Sequence, residues 1–202
     1  MQVIFKDGAK EKISNAEKLV VELGCGTNPL TTDSIKIDNF NSESVDIIAD
    51  LNNGIPLDDE SVDELHSYHF LEHVENFEFI LSEIHRVLKP NGMTIGSVPH
   101  FSNPYFYSDY THKYFFGLYS FSYFDNVQTM FKRKCPTFYS KSLFSPCSIK
   151  LIFKSPFHGR YFFKKFFQLL VNLSRYTKEF YEENLAYIFP AYEIYFELRK
   201  KK

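Results

Sequence analysis

Two closely spaced glycines follow the first apolar run of the chain, in the segment ELGCGTNP at 22–29. Glycine lets a backbone turn sharply after a strand, and the N–H groups of such a loop can approach a ligand closely. A dinucleotide-binding loop has a third glycine three positions after the second, where a helix packs beside the pyrophosphate. Pro29 stands at that position here. The loop therefore predicts a ligand at the end of a strand, and it is a poor dinucleotide fingerprint.

Two aspartates close the next two apolar runs of the sequence. Asp38 lies at the end of the second run, where a carboxylate can accept two hydrogen bonds from a ribose diol, and Asp50 ends the third, at a place suited to an adenine amino group. Ligands of open α/β sheets bind beyond the carboxyl ends of the strands. Each aspartate alone could simply cap a turn. The ordered set of a glycine loop and two acids favours a nucleoside-containing ligand instead.

A third motif, HFLEH at 69–73, fits the H-x-x-E-H pattern of a class of zinc peptidases. On a helix, His69 and His73 would share one face and could bind zinc, with Glu72 as the base. That chemistry needs a third ligand from a later acidic helix, and residues 101–202 offer few well-placed candidates. We therefore predict no metal site.

Alternating elements must position these residues. Apolar runs predict strands at 18–23, 34–40, 46–51, 62–68 and 93–98, and helical spacing of apolar residues predicts a helix at 75–88 that Pro90-Asn91-Gly92 stops. Strands that alternate with helices indicate a parallel sheet covered by helices. The first two connections between strands are too short for a full crossover helix, so we expect at most one helical turn in each.

The second half of the chain gives weaker patterns. Residues 115–131 could form one or two helices, and residues 137–154 predict two short strands around Pro146. An apolar helix is expected at 160–174, and the alternation of YEIYFEL predicts a last strand at 192–198.

Taken together, these motifs resemble the class I S-adenosylmethionine (SAM)-dependent methyltransferases, in particular the small-molecule branch often called type 11 and its shortened members with a GCGxNP loop. The resemblance is continuous over about residues 18–124. It is carried by the segments VVELGCGTNP (20–29), KIDNF (36–40), IIADLNNGIPLDDESVDELHSYHFLEHV (47–74) and SEIHRVLKPNGMTIGSVPH (82–100).

The resemblance implies a fold and a division of the chain. The fold is α/β and Rossmann-like, with a mostly parallel seven-stranded sheet, an antiparallel last strand and three α/β/α layers whose helices are reduced on one side. Residues 1–202 would form a single domain, with a SAM-binding core at 1–100, an acceptor and lid region at 101–191 and the final strand at 192–199.

The resemblance also implies SAM as the cofactor and a set of residues around it. Glu22, Gly24, Cys25 and Gly26 would surround the methionine part, and Asp38, with Asn39 beside it, would hold the ribose. Asp50 and the backbone of Leu51 would face adenine, and Ser67, Tyr68 and His69 would flank the sulfonium.

Candidate bases matter only if the acceptor is a hydroxyl or a protonated amine. The segment SDYTHK at 108–113 resembles the DPTHxRFF segment of this branch, and Asp109 beside His112 makes that histidine the first candidate. His73 is the second candidate, and His100, directly after the fifth strand, is the third. Alternatively, Asp109 caps a helix and His112 holds the cap.

Charge and aromatic residues are unevenly distributed along the chain. Residues 1–100 carry 7 Lys/Arg and 18 Asp/Glu, residues 101–202 carry 16 and 7, and 31 of the 37 Phe and Tyr lie after residue 100. Aromatic side chains suit a flat or apolar small-molecule acceptor, and basic ones suit an acidic or phosphorylated sugar. Two alternatives remain: a nucleic-acid methyltransferase that uses the basic half, less favoured because no nucleic-acid module is present, and a non-catalytic binding protein.

The apolar segment 160–174 raises the question of a membrane or a protein partner. Its wide apolar face and adjacent Lys164 and Lys165 would suit an anionic membrane surface. Packing on the sheet or a homodimer interface is favoured, because amphipathic helices usually face a core. The chain has neither a secretory signal nor 18 uncharged apolar residues in a row, and its three cysteines form no CxxC pair, which predicts a cytoplasmic protein.

Overall fold

One mixed sheet organises the chain in the computed structural model, which describes residues 3–202. The strands are β1 (Ile4–Phe5), β2 (Val20–Leu23), β3 (Ile35–Asp38), β4 (Ile47–Ile48), β5 (Val62–Tyr68), β6 (Leu88–Pro99), β7 (Phe144–Ile152) and β8 (Glu193–Lys200). The helices are α1 (Ala9–Ser14), α2 (Phe77–Val87), α3 (His158–Val171) and α4 (Arg175–Asn184). The strand order is β1-β4-β3-β2-β5-β6-β8-β7.

The parallel centre of this sheet matches the sequence prediction. Strands β4, β3, β2, β5 and β6 run parallel to their neighbours, so their carboxyl ends share one edge. The apolar runs form these strands because both faces of a parallel sheet are covered, and Val21, Leu23 and Ile37 are fully buried. The last strand, β8, is antiparallel, as expected.

Two strands at the sheet edges differ from the prediction. Ile4 and Phe5 pair antiparallel with β4 and add an eighth strand. The sequence does not predict this strand, because two residues are too short to show an alternating pattern. The two short strands expected around Pro146 are one strand, β7, whose pairing with β8 shifts register between Pro146 and Ser148. A proline cannot donate to the ladder, and a bulge accommodates it without ending the strand.

The first two strand connections are as short as expected. Between β2 and β3, and between β3 and β4, the described chain forms turns and no helix. The next helix, α2, begins at the side-chain cap of Asn76, whose oxygen accepts from the Phe79 N–H at 3.0 Å, and it buries Ile80, Ile84 and Val87. It ends at Val87 and the chain enters β6 immediately, five residues before the strand start that the sequence predicts.

The expected helices over 115–131 are wrong. The described chain forms only a 3₁₀ turn there, Ser120–Phe124, because the aromatic residues enter the core from an irregular backbone. Phe116 and Phe121 are buried, and Phe121 lies against Phe196 of β8 with ring centroids 4.5 Å apart. Side chains form hydrogen bonds with the backbone of this irregular segment. The amide of Gln128, for example, accepts from the Cys135 N–H and donates to the Cys135 carbonyl oxygen.

Helix α3 does not pack its apolar face on the sheet, which is one of the two arrangements favoured from the sequence. Val171 is the only fully buried residue of this described helix, and Phe167 packs partly against the core. The other large apolar residues of α3 and the following turn stay exposed: Tyr161, Phe162, Phe163, Phe166, Leu169, Leu170 and Leu173. The helix therefore lies beside β7 without burying its apolar face on the sheet. None of the helices within residues 3–202 is long and apolar enough to cross a membrane.

Candidate active site

A cleft of about 220 Å³ lies at the carboxyl ends of the parallel strands. We call it the strand-end cleft, and its walls are Gly24, Asp38, Asn39, Ala49, Asp50, Leu51, Asn52, His69, Phe70, His73 and Val74. The structure thus brings together, at one edge of the sheet, residues from the ends of β2, β3, β4 and β5. This is where ligands of open α/β sheets bind.

The glycine loop turns sharply into this cleft. Gly24 and Gly26 have φ angles of +65° and +56°, a conformation that side chains rarely adopt. A Cβ on Gly24 would lie 2.5 Å from the Phe70 ring, so the ring packs directly on the glycine. The glycines are therefore required both for the turn and for the close approach of Phe70.

Asp38 is a buried carboxylate held in one orientation. Its Oδ2 accepts from the Gly26 N–H at 2.8 Å, and its Oδ1 accepts from the Phe40 N–H at 2.8 Å. Each carboxylate oxygen has a second lone pair that can accept from a ligand. Asp38 therefore fixes the glycine loop and can still accept bonds from a diol in the cleft.

Asp50 caps a turn and also lines the cleft. It caps a 3₁₀ turn at Leu51–Asn53, where its Oδ1 accepts from the Asn52 N–H at 3.1 Å, and its Oδ2 accepts from the Asn53 side-chain amide at 2.9 Å. It also lines the cleft next to Leu51. The cap orients the carboxylate and does not remove it from the site.

Of the four residues predicted around the methionine part, only Gly24 lines the cleft. Both carboxylate oxygens of Glu22 accept from backbone N–H groups, of Leu30 at 2.9 Å and Thr31 at 2.7 Å. The side chain of Cys25 packs with Val45 and Ile48. Burial, with the negative charges of Asp38 and Glu22, raises the pKa of its thiol to about 12. Glu22 and Cys25 thus stabilise the glycine loop through contacts outside the cleft.

The end of β5 is also mostly structural. Ser67 is fully buried, and its carbonyl oxygen would lie 1.9 Å from a Cβ on Gly96, so the two strands need a glycine there. The Tyr68 hydroxyl lies 2.9 Å from His66 Nδ1. Of the three residues predicted beside the sulfonium, only His69 lines the strand-end cleft.

His69 carries a positive charge at neutral pH. Its Nδ1 lies 3.2 Å from Glu72 Oε1 and its Nε2 lies 2.8 Å from Glu193 Oε2. Burial favours the neutral ring, but the hydrogen bonds with these two carboxylates outweigh burial and raise the pKa of His69 to about 9. Glu193 also pairs with Lys154 at 2.7 Å. No local pattern identifies Glu193, because 124 residues separate it from His69.

Three further side chains converge at the His73 end of the cleft. Glu72, His73 and His112 form what we call the histidine cluster, and one potential ligand atom from each lies within 4.8 Å of the others. Residues 69–73 form a turn, and His69 has a φ of +52°. The helical H-x-x-E-H arrangement of a zinc peptidase is therefore absent from this described segment, and His112 joins Glu72 and His73 in its place.

The predicted bases have different surroundings. His112 lies 4.8 Å from His73 between ring centroids, and its Nδ1 lies 2.9 Å from the Phe106 carbonyl oxygen. Asp109 Oδ2 is 3.6 Å from His112 Nε2, beyond a direct hydrogen bond, so Asp109 does not hold the ring as proposed from the sequence. His100 is fully buried outside the cleft, where it bonds Ser102 at 2.7 Å and Glu182 at 2.9 Å. This burial gives His100 a structural role.

A larger cavity of about 490 Å³ is formed by residues that follow the cleft-forming half of the chain. We call it the aromatic cavity. Its lining includes aromatic rings and basic side chains, namely Phe153, Lys154, Phe157, Arg160, Phe163, Lys164, Phe167 and Tyr192. Lys154 connects its wall to the strand-end cleft through Glu193 and His69.

Comparison with known proteins finds one family model that matches the first half of the chain. Residues 7–96 match the family described as "Methyltransferase domain". Residues 7–96, a little under half of the chain, are therefore similar to a methyltransferase domain. The cofactor of the chain is S-adenosylmethionine, as the resemblance in the glycine loop and the two aspartates implies. No curated protein sequence matches the chain significantly.

Solved structures support the fold at low sequence identity. A SAM-dependent methyltransferase from Archaeoglobus fulgidus is 16% identical, with 91% of this chain and 86% of that chain covered and a TM-score of 0.56. A SAM-dependent methyltransferase from Thermotoga maritima is 17% identical, with 96% and 88% covered and a TM-score of 0.53. A structure of the Haloferax volcanii Trm112 methyltransferase activator in complex with a methyltransferase is 14% identical, with 96% and 89% covered and a TM-score of 0.54.

The residues of the strand-end cleft fit the cofactor. Asp38 offers a fixed carboxylate for a diol, Asp50 offers a second acceptor one strand away, and Leu51 and Val74 supply apolar walls. This set of acceptors and apolar surface is what a nucleoside requires.

Proposed function

We propose that the chain transfers the methyl group of SAM to a small-molecule acceptor, with SAM held in the strand-end cleft. The observation that supports this most is the arrangement of Gly24, Asp38 and Asp50 around one cleft at the carboxyl ends of successive strands. In this proposal Asp38 binds the ribose hydroxyls beside Asn39, and Asp50 and Leu51 face adenine. Gly26 contributes by holding Asp38 in place.

Bound SAM supplies a sulfonium methyl that is already activated for in-line displacement. The bond between methyl carbon and sulfur breaks, its electron pair stays on sulfur, and a bond forms to the acceptor atom. The chain must therefore position the acceptor atom about 3–3.5 Å from the methyl carbon and receive a proton where the acceptor loses one. His73 lines the cleft with His112 next to it, so these two are the candidates for that proton, with Asp109 as a more distant partner.

The acceptor side is formed by residues 101–191 in this proposal. The aromatic cavity combines ring faces with Lys154, Arg160 and Lys164, which suits an aromatic or apolar metabolite with an acidic or phosphorylated group. Lys154, in the wall of the aromatic cavity, pairs with Glu193, and Glu193 pairs with His69 in the strand-end cleft. These contacts place the wall of the aromatic cavity next to the end of the strand-end cleft.

Transfer of radiolabelled methyl from SAM tests the acceptor class. The protein is incubated with a low-molecular-weight metabolite extract and, separately, with RNA and DNA from the same cells. We expect label in the metabolite fraction, and expect a Lys154→Glu variant to lose most of it, because the variant reverses the charge at the cavity wall. A Lys141→Glu variant, which makes the same charge reversal at an exposed position outside the cavity, is the matched control and should keep the label. Label confined to nucleic acid would replace the small-molecule acceptor, and no label in any fraction would favour a non-catalytic binding protein.

We also infer that α3 contacts an anionic membrane surface. The exposed side of this helix carries Phe162 and Phe166, and the helix also carries Arg160, Lys164 and Lys165 without any acidic residue. Apolar side chains that enter the lipid interface and bases that attract anionic headgroups are the two requirements of an interfacial helix. A homodimer through the same face is the competing outcome of the test.

A further inference from the structure

The histidine cluster contains lone pairs that the described protein leaves without donors. Glu72 is fully buried, and its Oε2 has no hydrogen-bond partner among residues 3–202. An unpaired buried carboxylate oxygen is costly, so a group that meets it is expected. His73 and His112 each place a ring nitrogen within 4.8 Å of the carboxylate.

Proton positions on the two rings follow from their other partners. The Thr111 hydroxyl donates to Asp109 Oδ1 at 2.6 Å, and so it accepts from the N–H of His73 Nδ1 at 2.8 Å. His112 Nδ1 donates to the Phe106 carbonyl oxygen at 2.9 Å, since a carbonyl can only accept. In the neutral form, both rings therefore present the lone pair of Nε2.

We propose that Glu72, His73 and His112 bind a divalent first-row transition-metal ion such as Mn²⁺, Fe²⁺, Co²⁺ or Zn²⁺. Two imidazoles and one carboxylate are a donor set that suits such ions and leaves coordination positions for oxygen ligands. Ligands about 2.0–2.2 Å from a metal lie about 3–4 Å apart, so separations within 4.8 Å need only a small inward movement of the side chains.

The outer contacts of the cluster are those of a metal site. Ligating histidines generally donate their second N–H to a carboxylate, a carbonyl or another acceptor, which fixes the ring and raises its basicity. The Asp109–Thr111–His73 chain and the Phe106–His112 bond provide one such contact for each ring. In this arrangement Asp109 positions His73 through Thr111, which explains a carboxylate that does not reach His112.

This inference rests on the proposed function only for its consequence. Because His73 also lines the strand-end cleft, an ion here would lie beside the cofactor, where its open positions could hold an acceptor hydroxyl and lower the pKa of that hydroxyl. With the ion bound, His73 and His112 are ligands and no longer receive the acceptor's proton, so the ion replaces that role. Binding of the ion itself requires neither SAM nor an acceptor.

Titration of metal-stripped protein with Co²⁺ and Mn²⁺ tests the site. Calorimetry and the visible absorption of Co²⁺ should show one ion per chain with micromolar or tighter affinity. His112→Ala and His73→Ala should each weaken it at least 100-fold. Thr111→Val should weaken it about 10- to 100-fold, as loss of an outer contact does. His158→Ala, which removes an exposed histidine on α3, should leave affinity unchanged.

Saturable binding that survives both His73→Ala and His112→Ala, or no binding by the native chain, would overturn the proposal. Glu72→Gln tests the third ligand, and circular dichroism reports whether this buried change still folds. Titration of the same stripped protein with S-adenosylhomocysteine separates the two proposals. Binding of that ligand without any metal binding would leave the methyltransferase function intact and remove only the ion.

Discussion

The strand-end cleft and the exposed face of α3 are built in opposite ways. In the cleft, functional side chains are held by hydrogen bonds, as Asp38 is by the N–H groups of Gly26 and Phe40 and His69 is by two carboxylates. On α3, large apolar side chains such as Phe162 and Phe166 contact little else within the described chain. The first region is preorganised for a ligand of fixed shape, and the second has the surface of a helix that lacks its partner.

Glycine-to-alanine substitutions in the sheet that carries the cleft and in α3 should have opposite effects on stability, and the effect in the sheet is the largest that we expect. Gly96→Ala places a Cβ 1.9 Å from the Ser67 carbonyl oxygen and 2.8 Å from the Phe196 ring, where strands β5, β6 and β8 cannot separate. We expect the free energy of unfolding to fall by about 3 kcal/mol or more, the upper range for overpacking. Gly159→Ala on α3 meets nothing within 4 Å and should stabilise the helix by up to about 1 kcal/mol.

Urea denaturation of both variants measures these changes. Equal and small effects of Gly96→Ala and Gly159→Ala would show that the cleft-bearing sheet is as tolerant as α3, contrary to the account.

Membrane binding by α3 is the next largest expected effect. We expect the chain to cosediment with vesicles that contain phosphatidylserine, and Phe162→Glu/Phe166→Glu to abolish this. Lys165→Ala, which leaves the aromatic cavity intact, should weaken it about fivefold, because a basic side chain near an anionic surface contributes about 1 kcal/mol. Tyr110→Glu, at a fully exposed position outside α3, is the matched control.

If the native chain stays in the supernatant and sediments as a dimer that Phe162→Glu/Phe166→Glu dissociates, the apolar face of α3 joins two chains and does not meet lipid.

The pH dependence of His69 gives the smallest predicted effect. Its pKa is about 9 in the folded chain, against about 6.5 when unfolded, so its pairing with Glu193 and Glu72 stabilises the fold fully below pH 6.5. That contribution is lost as the pH rises through 9. His69 is partly exposed, so solvent screening limits the loss to about 1 kcal/mol.

Urea denaturation at pH 6 and pH 9.5, beside His69→Gln, measures this term, and an NMR titration of His69 measures the pKa. A stability loss that persists in His69→Gln, or a pKa below 7 for His69, would show that the two carboxylates do not hold the ring charged.

The sequence predicted the front of the molecule better than the back, for a physical reason. Apolar runs followed by Gly24, Asp38 and Asp50 are local signals, and a parallel sheet brings their ends together without further information. In contrast, Glu193 meets His69 across 124 residues, and the contact of His112 with His73 depends on an irregular segment. No short pattern encodes such contacts.

The errors share the same cause. The local spacing of aromatic residues at 115–131 predicts one or two helices. Tertiary packing instead buries Phe116 and Phe121 in the core on an irregular backbone. The pattern HFLEH likewise gives no sign of the side chain that meets Glu72 and His73 in the fold. That side chain is His112, which comes from the irregular segment.

Calorimetric titration with SAM and S-adenosylhomocysteine tests the central claim most directly. We predict micromolar binding by the native chain and a loss of about 100-fold in Asp38→Ala, since two hydrogen bonds to a charged acceptor contribute about 3 kcal/mol. Circular dichroism and urea denaturation report whether Asp38→Ala still folds, and exposed Asp58→Ala should bind as the native chain does. Failure of the native chain to bind either compound, or full affinity in Asp38→Ala, would contradict the assignment of the strand-end cleft as the cofactor site.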